Sequence, residues 1–370
     1  MVALAASPTF AAPIRVTTWN LEWFPNGSKK ELPPGEQAKR ITAAADVLRP
    51  LNSDIILLQE VKDYDVCNRL AEAIGPHTYQ VAVCSAFREP FTPGPGKQQV
   101  AILAKEPAQA AWSESWKSMD GVDPPRGFVF GWFKIAGTDV GVYSVHLKSN
   151  LIMRGDKVAE ARKNIRKREV AVEQLLNHVR DVISPAMPMV KSIVVGGDFN
   201  TNVDQPDFAE EKTIPTLTAA NFRNAMEGTP AVQRVTHPGS GPYPDATFDY
   251  LFGSNLVPSN VVITPSPASD HYPVTCDFSV GGTYAQTTPP AAPAPKTNKP
   301  VVPSPTTPPN PSAAPQFATL TQPVRIKIPY GETVLPRGLR LPVISRTAET
   351  VTVSYLDQPQ IIPISATDLK

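Results

Sequence analysis

The chain has 370 residues, 35 basic and 34 acidic, with a formal net charge of +1. That length allows two or three domains with a sizeable core. The charge balance excludes a global field for nucleic acid or membrane, so any basic site must be local.

The first residues, MVALAASPTFAAP, are small and apolar but carry no early charge. Residues 1–12 read as the remnant of a secretory signal, cleaved near Ala11 and Ala12, or as an irregular leader. The first reading places the protein in the periplasm or outside the cell. No stretch approaches the ~20 apolar residues of a membrane-spanning helix.

Residues 13–281 alternate strand and helix patterns. Strands are expected at 14–20, 54–60, 79–84, 99–104, 128–135, 140–146, 192–198, 247–252 and 274–278. Several are almost wholly apolar, as strands buried on both faces are. Helices are expected at 36–49, 63–74 and 157–183. The last spaces Val158, Ala161, Ile165, Val172, Leu176 and Val179 as one buried stripe. The pattern predicts a layered α/β sandwich of two packed mixed sheets with outer helices. Cys67 and Cys84 flank a helix-then-strand segment and allow a local disulfide in an oxidising compartment. Cys276, in the alternating PVTCDF, reads as a buried free thiol, and no Cys/His spacing suggests zinc.

Proline is the outlier, with 42 residues, more than twice the usual share. Eleven of them fall within 283–315, so residues 282–318 read as an extended, semi-rigid linker. Residues 319–370 carry four or five short strand patterns, enough for a small β-barrel.

The functional signal lies where the apolar strands end. VTTWN ends at Asn20, with Glu22 following; DIILLQE ends at Glu60; VGVYSVH ends at His146, followed by Lys148 and Asn150. SIVVGGDFN ends at Asp198 and Asn200, FDYLF carries Asp249, and SPASDHYPV carries Asp270 and His271. Strand ends in open α/β sheets gather into one crevice. If these do, Glu60 and Asp270 with Asn20 supply the hard oxygen donors that suit Mg²⁺ or Mn²⁺ better than zinc. His271 offers an acid–base imidazole that Asp249 could orient. Asp198 could hold an attacking water and Asn200 a substrate oxygen, with His146 bonding a phosphate oxygen. Such a set describes phosphoester hydrolysis. The pair Gly196–Gly197 is not a P-loop, because no Lys–Ser/Thr pair follows it. The two glycines read instead as a tight turn at the strand end.

TWNLEWF, LLQEV, VHLKSN, GGDFNT, FDYLF and SDHYPV together resemble the endonuclease/exonuclease/phosphatase superfamily, over residues 14–279 and in the family's order. The resemblance implies a four-layered α/β sandwich with a divalent metal at the sheet ends. It places Asn20, Glu60 and Asp270 at the metal, with Glu22 beside them. It makes His146, Asp198, Asn200, Asp249 and His271 catalytic. The C-terminal piece resembles a bacterial SH3-like barrel, which implies a peptide or cell-wall ligand.

The basic run RGDKVAEARKNIRKRE reads as a solvated helix face or as a phosphate-tracking stripe. Arg126, Lys148 and Asn150 are further phosphate-contact candidates. The expectation is an exported, Mg²⁺-dependent phosphodiesterase acting on DNA or RNA. A phospholipid or small phosphate-ester phosphodiesterase is the alternative, with membrane-contacting aromatics among Trp23, Phe24, Trp112 and Trp116. A non-catalytic envelope-binding protein is the third reading.

Overall fold

Short runs of aliphatic residues, each buried on both sides, build the sheets. The computed structural model describes residues 12–88, 94–152, 154–241, 243–280, 317–328, 331–335, 337–355 and 358–369. The expected signal remnant (but for residue 12) and nearly all of the expected Pro-rich linker lie outside the described residues.

The first sheet has six strands: β1 (Ile14–Phe24), β2 (Ile55–Val61), β3 (Gln80–Cys84), β4 (Gln99–Ala104), β11 (Leu256–Ile263) and β12 (Val274–Val280). Their order is β11-β12-β1-β2-β4-β3, with β1 and β2 parallel. In β2, Ile55 and Leu57 face one core while Ile56 and Leu58 face another. The second core lies under helices α1 (Pro34–Leu51) and α2 (Tyr64–Ile74), which bury Ile41, Leu48, Val66 and Leu70 there. Helix α2 starts where the Asp63 carboxylate accepts the Val66 N–H at 2.9 Å, a cap that contributes about 1 kcal/mol.

The second sheet stacks on the other face of the first. Its central strands are β5 (Ala110–Ser115), β6 (Gly127–Ile135), β7 (Thr138–His146), β8 (Ser192–Asp198) and β10 (Asp249–Ser254), with the two-residue β9 (Arg223–Asn224) at one edge. Helix α3 (Lys157–His178) closes the outer side through Ala171, Val172 and Leu175. The result is the expected order of helices, sheet, sheet and helix. The expected α3 stripe is shifted: Val158 is exposed, and the buried face holds Asn164, Arg168, Val170 and Ala171 instead. The expected turn at Gly196 and Gly197 is also corrected, since both lie inside β8. A Cβ on Gly196 would sit 2.6 Å from Leu251 and 2.7 Å from Leu57. A Cβ on Gly197, at φ 148°, would sit 1.9 Å from the Val145 carbonyl oxygen. These glycines permit close packing of neighbours rather than a reversal.

Among the described residues no SH3-like barrel forms. β14 (Val324–Ile328) and β15 (Gly331–Leu335) make a hairpin that extends the second sheet, with Val334 registered to Ala111 of β5. β13 (Phe317–Thr319), β16 (Arg340–Arg346), β17 (Thr350–Tyr355) and β18 (Gln358–Pro363) form a separate open sheet of four strands. The physical reason is the edge of β5, whose free backbone groups take up the hairpin that a closed barrel would need. A small apolar cluster containing Leu320, Ile326, Leu335, Val351 and Ile362 joins hairpin and sheet. The peptide or cell-wall ligand expected of a barrel loses its basis with it. Cys67, Cys84 and Cys276 are all free and buried. No helix among the described residues is long and apolar enough to cross a membrane.

Candidate active site

The register of the second sheet brings three polar residues side by side. His146 pairs with Asp198 across the parallel β7–β8 ladder, and Asp198 pairs with Asp249 across the antiparallel β8–β10 ladder. The first sheet contributes Asn20 and Glu60 from the adjacent ends of β1 and β2. Both strands bulge there, and Glu22, Trp23, Glu60, Arg126 and Asn200 all adopt left-handed φ values between 47° and 68°. Such strain in non-glycine residues is sustained only where the surroundings over-determine it.

Asn20 ties the two sheets together. Its amide donates to Asp198 Oδ2 at 2.9 Å and to Glu60 Oε1 at 3.4 Å, while its oxygen accepts the Glu22 N–H at 3.0 Å. His146 Nε2 stands 3.5 Å from Asp198 Oδ2 and 3.7 Å from Glu60 Oε1. Glu60 Oε2 is steadied by the Trp23 N–H at 2.9 Å, and Asp198 Oδ1 by the Asn200 N–H at 2.8 Å. His271 Nδ1 lies 2.8 Å from Asp249 Oδ2, which leaves Nε2 facing Asp198 Oδ2 at 3.9 Å. Thr236 Oγ1 accepts the Asp249 backbone N–H at 3.1 Å and so anchors the strand that carries that carboxylate.

Burial shapes the charges. It raises Asp198 to about 7, with Asp249 adding to the rise and His271 and Asn20 opposing it. Burial works against a charged His271, but Asp249, Asp198 and Asp270 outweigh it and raise the imidazole to about 10. His146 is driven well below its ordinary value by burial and then by Arg126, His271 and Lys148. The site therefore holds one cationic and one neutral imidazole around a carboxylate poised near neutrality. Lys148 falls to about 8 through burial and the nearby Arg126, Lys167 and Arg168.

Other expected residues are placed differently. Glu22 turns toward Arg40 at 3.6 Å, and burial followed by Asp270 raises its pKa. Asp270 is half exposed on the outer side of the cleft. Arg126 sits on the backbone, donating to the carbonyls of His146 at 3.0 Å and Leu147 at 2.7 Å. Asn150 donates to the Asn200 carbonyl at 2.6 Å and accepts from Arg168 at 2.8 Å. Both hold the loop after β7. Arg168 itself is fully buried against Glu211, at 2.6 and 2.8 Å, and also donates to the Lys148 carbonyl at 2.9 Å. The basic helix is thus neither wholly solvated nor wholly a stripe, for Arg166 and Lys163 pair with glutamates while Lys157 and Lys167 face the cleft.

His237 was not legible in the sequence. Its ring meets His271 edge-on at 4.8 Å and Phe248 at 5.5 Å, and its Nε2 stands 3.9 Å from Asp270 Oδ2. It lies in VTHPGS, a loop without the strand-end pattern that marks the others. The only available signal is arithmetic: of five histidines in the chain, three gather here.

Comparison with known proteins agrees with this arrangement. The family model described as Endonuclease/Exonuclease/phosphatase family matches residues 17–271. No curated protein matches the chain. The fold is similar to an endonuclease/exonuclease/phosphatase from Beutenbergia cavernae, with TM-score 0.53, 16% identity, and 73% of this chain and 72% of that one covered. It is also similar to a functionally unknown conserved protein from Enterococcus faecalis, with TM-score 0.51, 14% identity, and 72% and 100% covered. A humanized TDP2 from D. rerio gives TM-score 0.50 at 15% identity, with 72% and 98% covered. Family, fold and the two His/Asp clusters together support a metal-dependent phosphoesterase.

Proposed function

Because the chain belongs to the endonuclease/exonuclease/phosphatase family, we propose that it is a Mg²⁺-dependent phosphodiesterase acting on nucleic acid. The observation that carries the reading is the convergence of Asn20, Glu60, His146, Asp198, Asp249 and His271 from two sheets onto one cleft.

The donor set fits a hard divalent cation. Glu60 and Asp198 present carboxylate oxygens, as Mg²⁺ prefers, and Mn²⁺ accepts the same ligands; Asn20 positions them, its amide on both carboxylates and its own oxygen on the Glu22 N–H. Packing two carboxylates this close around an amide leaves negative charge that a cation would balance. When bound there, the ion would polarise a phosphoryl oxygen and stabilise charge on the leaving oxygen.

The chain's own groups would do the rest. Asp198, raised to about 7 by burial while no cation is bound, would be held ionised by the cation and would orient the attacking water by accepting its hydrogen bond. Asn200 orients Asp198 through its backbone N–H and donates its side-chain amide to the Leu147 carbonyl at 3.3 Å, at the wall of the cleft. His271, kept cationic chiefly by Asp249 against the cost of burial, would donate from Nε2 to a phosphate oxygen. His146, neutral by burial, would donate to a second oxygen. Lys148 would attract the phosphate, held in place by Arg126, Asn150 and Arg168.

Two features favour a polyanion over a lipid. The cleft is about 2240 Å³; Lys29, Arg88, Lys117, Lys148, Lys157 and Lys167 line it, and of its six carboxylates Glu60, Asp198 and Asp270 belong to the site itself. Phe24, Trp112 and Trp116 are core residues rather than exposed membrane contacts. Trp23 lies in the cleft under the Lys29 ammonium, 5.4 Å from its ring. The test is a cleavage screen with Mg²⁺ over plasmid DNA, RNA, sphingomyelin and inositol phosphates. Nucleic-acid cleavage that falls steeply with added salt is expected. Turnover confined to sphingomyelin or inositol phosphates would refute the substrate assignment.

A further inference from the structure

His237, Asp270 and His271 each offer one ligating atom, and the three lie within 4.8 Å of one another. We propose that they form a second cation site, selective for imidazole-favouring divalent ions such as Zn²⁺, whose occupancy shuts the enzyme off by capturing His271. The shut-off rests on the function proposed above, whereas the binding site does not.

The chemistry separates this group from the one around Glu60. Two imidazoles and a carboxylate make a borderline donor set, which suits Zn²⁺ and disfavours Mg²⁺. Glu60 and Asp198 offer the reverse. The second feature is the partner behind His271. A metal-binding histidine usually donates its other ring N–H to a carboxylate, which fixes the tautomer and raises its basicity. His271 has that arrangement, with Asp249 at 2.8 Å from Nδ1 and Nε2 directed into the cleft; the ion would displace the Nε2 proton to solvent as it binds.

The third feature is the posture of His237 and Asp270. His237 Nε2 and Asp270 Oδ2 are 3.9 Å apart, beyond hydrogen-bond reach and a few tenths of an ångström wider than the ~3.3–3.6 Å between two ligands at ~2.0–2.2 Å on one tetrahedral zinc, a gap that a small turn of Asp270 closes. Asp270 is half exposed and can turn inward, while His237 is held by its backbone. Its N–H donates to the Ala246 carbonyl at 3.0 Å, its carbonyl accepts the Ala246 N–H at 2.9 Å, and Phe248 backs the ring. The open side of the cleft leaves room for a water as fourth ligand. An ion on His271 Nε2 would take the donor that otherwise faces Asp198 and the phosphate.

The experiment is equilibrium dialysis of the full chain against Zn²⁺ at saturating Mg²⁺, since the three thiols are buried and do not compete. Wild type and Glu60→Gln should bind one Zn²⁺ alike. His237→Ala and His237→Gln should bind it roughly tenfold or more weakly, with unchanged circular dichroism. Equal Zn²⁺ affinity in wild type and both folded His237 variants would overturn the site, as would its loss in Glu60→Gln. The half-inhibitory Zn²⁺ concentration for Mg²⁺-driven cleavage should rise in parallel in the His237 variants. Unchanged inhibition in variants that have lost the ion would overturn the shut-off. If the wild type cleaves no phosphodiester, the shut-off falls with the functional reading, and the dialysis still decides the site.

Discussion

Arg168 is the residue whose replacement tests the architecture of the site most sharply. Its guanidinium is fully buried, donates twice to Glu211, and also reaches the Lys148 carbonyl and the Asn150 side chain. Arg168→Met keeps the stem's volume but strands the Glu211 carboxylate, itself almost wholly buried. Breaking a buried pair from one side costs about 3–5 kcal/mol. Removing both partners in Arg168→Met/Glu211→Leu eliminates the stranded charge. That leaves the lost bonds to Lys148, Asn150 and Thr213, at about 1 kcal/mol each or less. The double variant is therefore more stable than the single one. Urea denaturation of wild type, single and double variants reads these differences directly. The single variant should also raise KM more than it lowers kcat, because the loop carrying Lys148 is loosened. A loss below about 1 kcal/mol in the single variant, or a double variant less stable than it, would refute the buried-clamp account.

Three further outcomes follow from burial and charge. Asp198 is raised to about 7 by burial, so without metal this group stabilises the fold at acid pH and that contribution is lost as pH rises through 7. Mg²⁺ must displace its proton, and the Mg²⁺-induced rise in Tm should be larger at pH 8 than at pH 6; the opposite order would count against Asp198 at the metal. Lys148, lowered to about 8 by burial and neighbouring cations, loses its charge as pH rises through that value. KM for a polyanionic substrate should climb above pH 8 and climb less in Lys148→Arg, as steady-state kinetics across pH 6.5–9.5 would show. Gly197→Ala forces a Cβ against the Val145 carbonyl and should cost more than about 2 kcal/mol in urea denaturation, whereas Gly228→Ala, with open space around it, should cost less.

The catalytic strands were legible because they obey a local rule. A run of apolar residues that ends in Asn20, Glu60, His146 or Asp198 reports its own depth and its own exit from the core. What lay beyond reach depends on distant partners. Arg168 stands in a run of like charges, where solvation is the default reading, and only partners outside the helix, namely Glu211, Asn150 and the Lys148 carbonyl, make it internal. The hairpin of β14 and β15 carries ordinary barrel-like patterning, and nothing in it tells that the open edge of β5 will take it. Gly196 and Gly197 looked like a turn because the packing of Leu57, Leu251 and Val145 against them is invisible along the chain. His237 sits in an irregular loop and becomes a neighbour of His271 only through the bridge to Ala246.

The most direct test of the central claim is plasmid cleavage with Mg²⁺ by wild type and Glu60→Gln, each shown to be folded. Glu60 reaches His146, Asn20 and the Trp23 N–H, and its charge is what the cation would meet. The account predicts cleavage that requires the metal and falls roughly 100-fold or more in Glu60→Gln. Metal-independent cleavage, or full activity in Glu60→Gln, would contradict it.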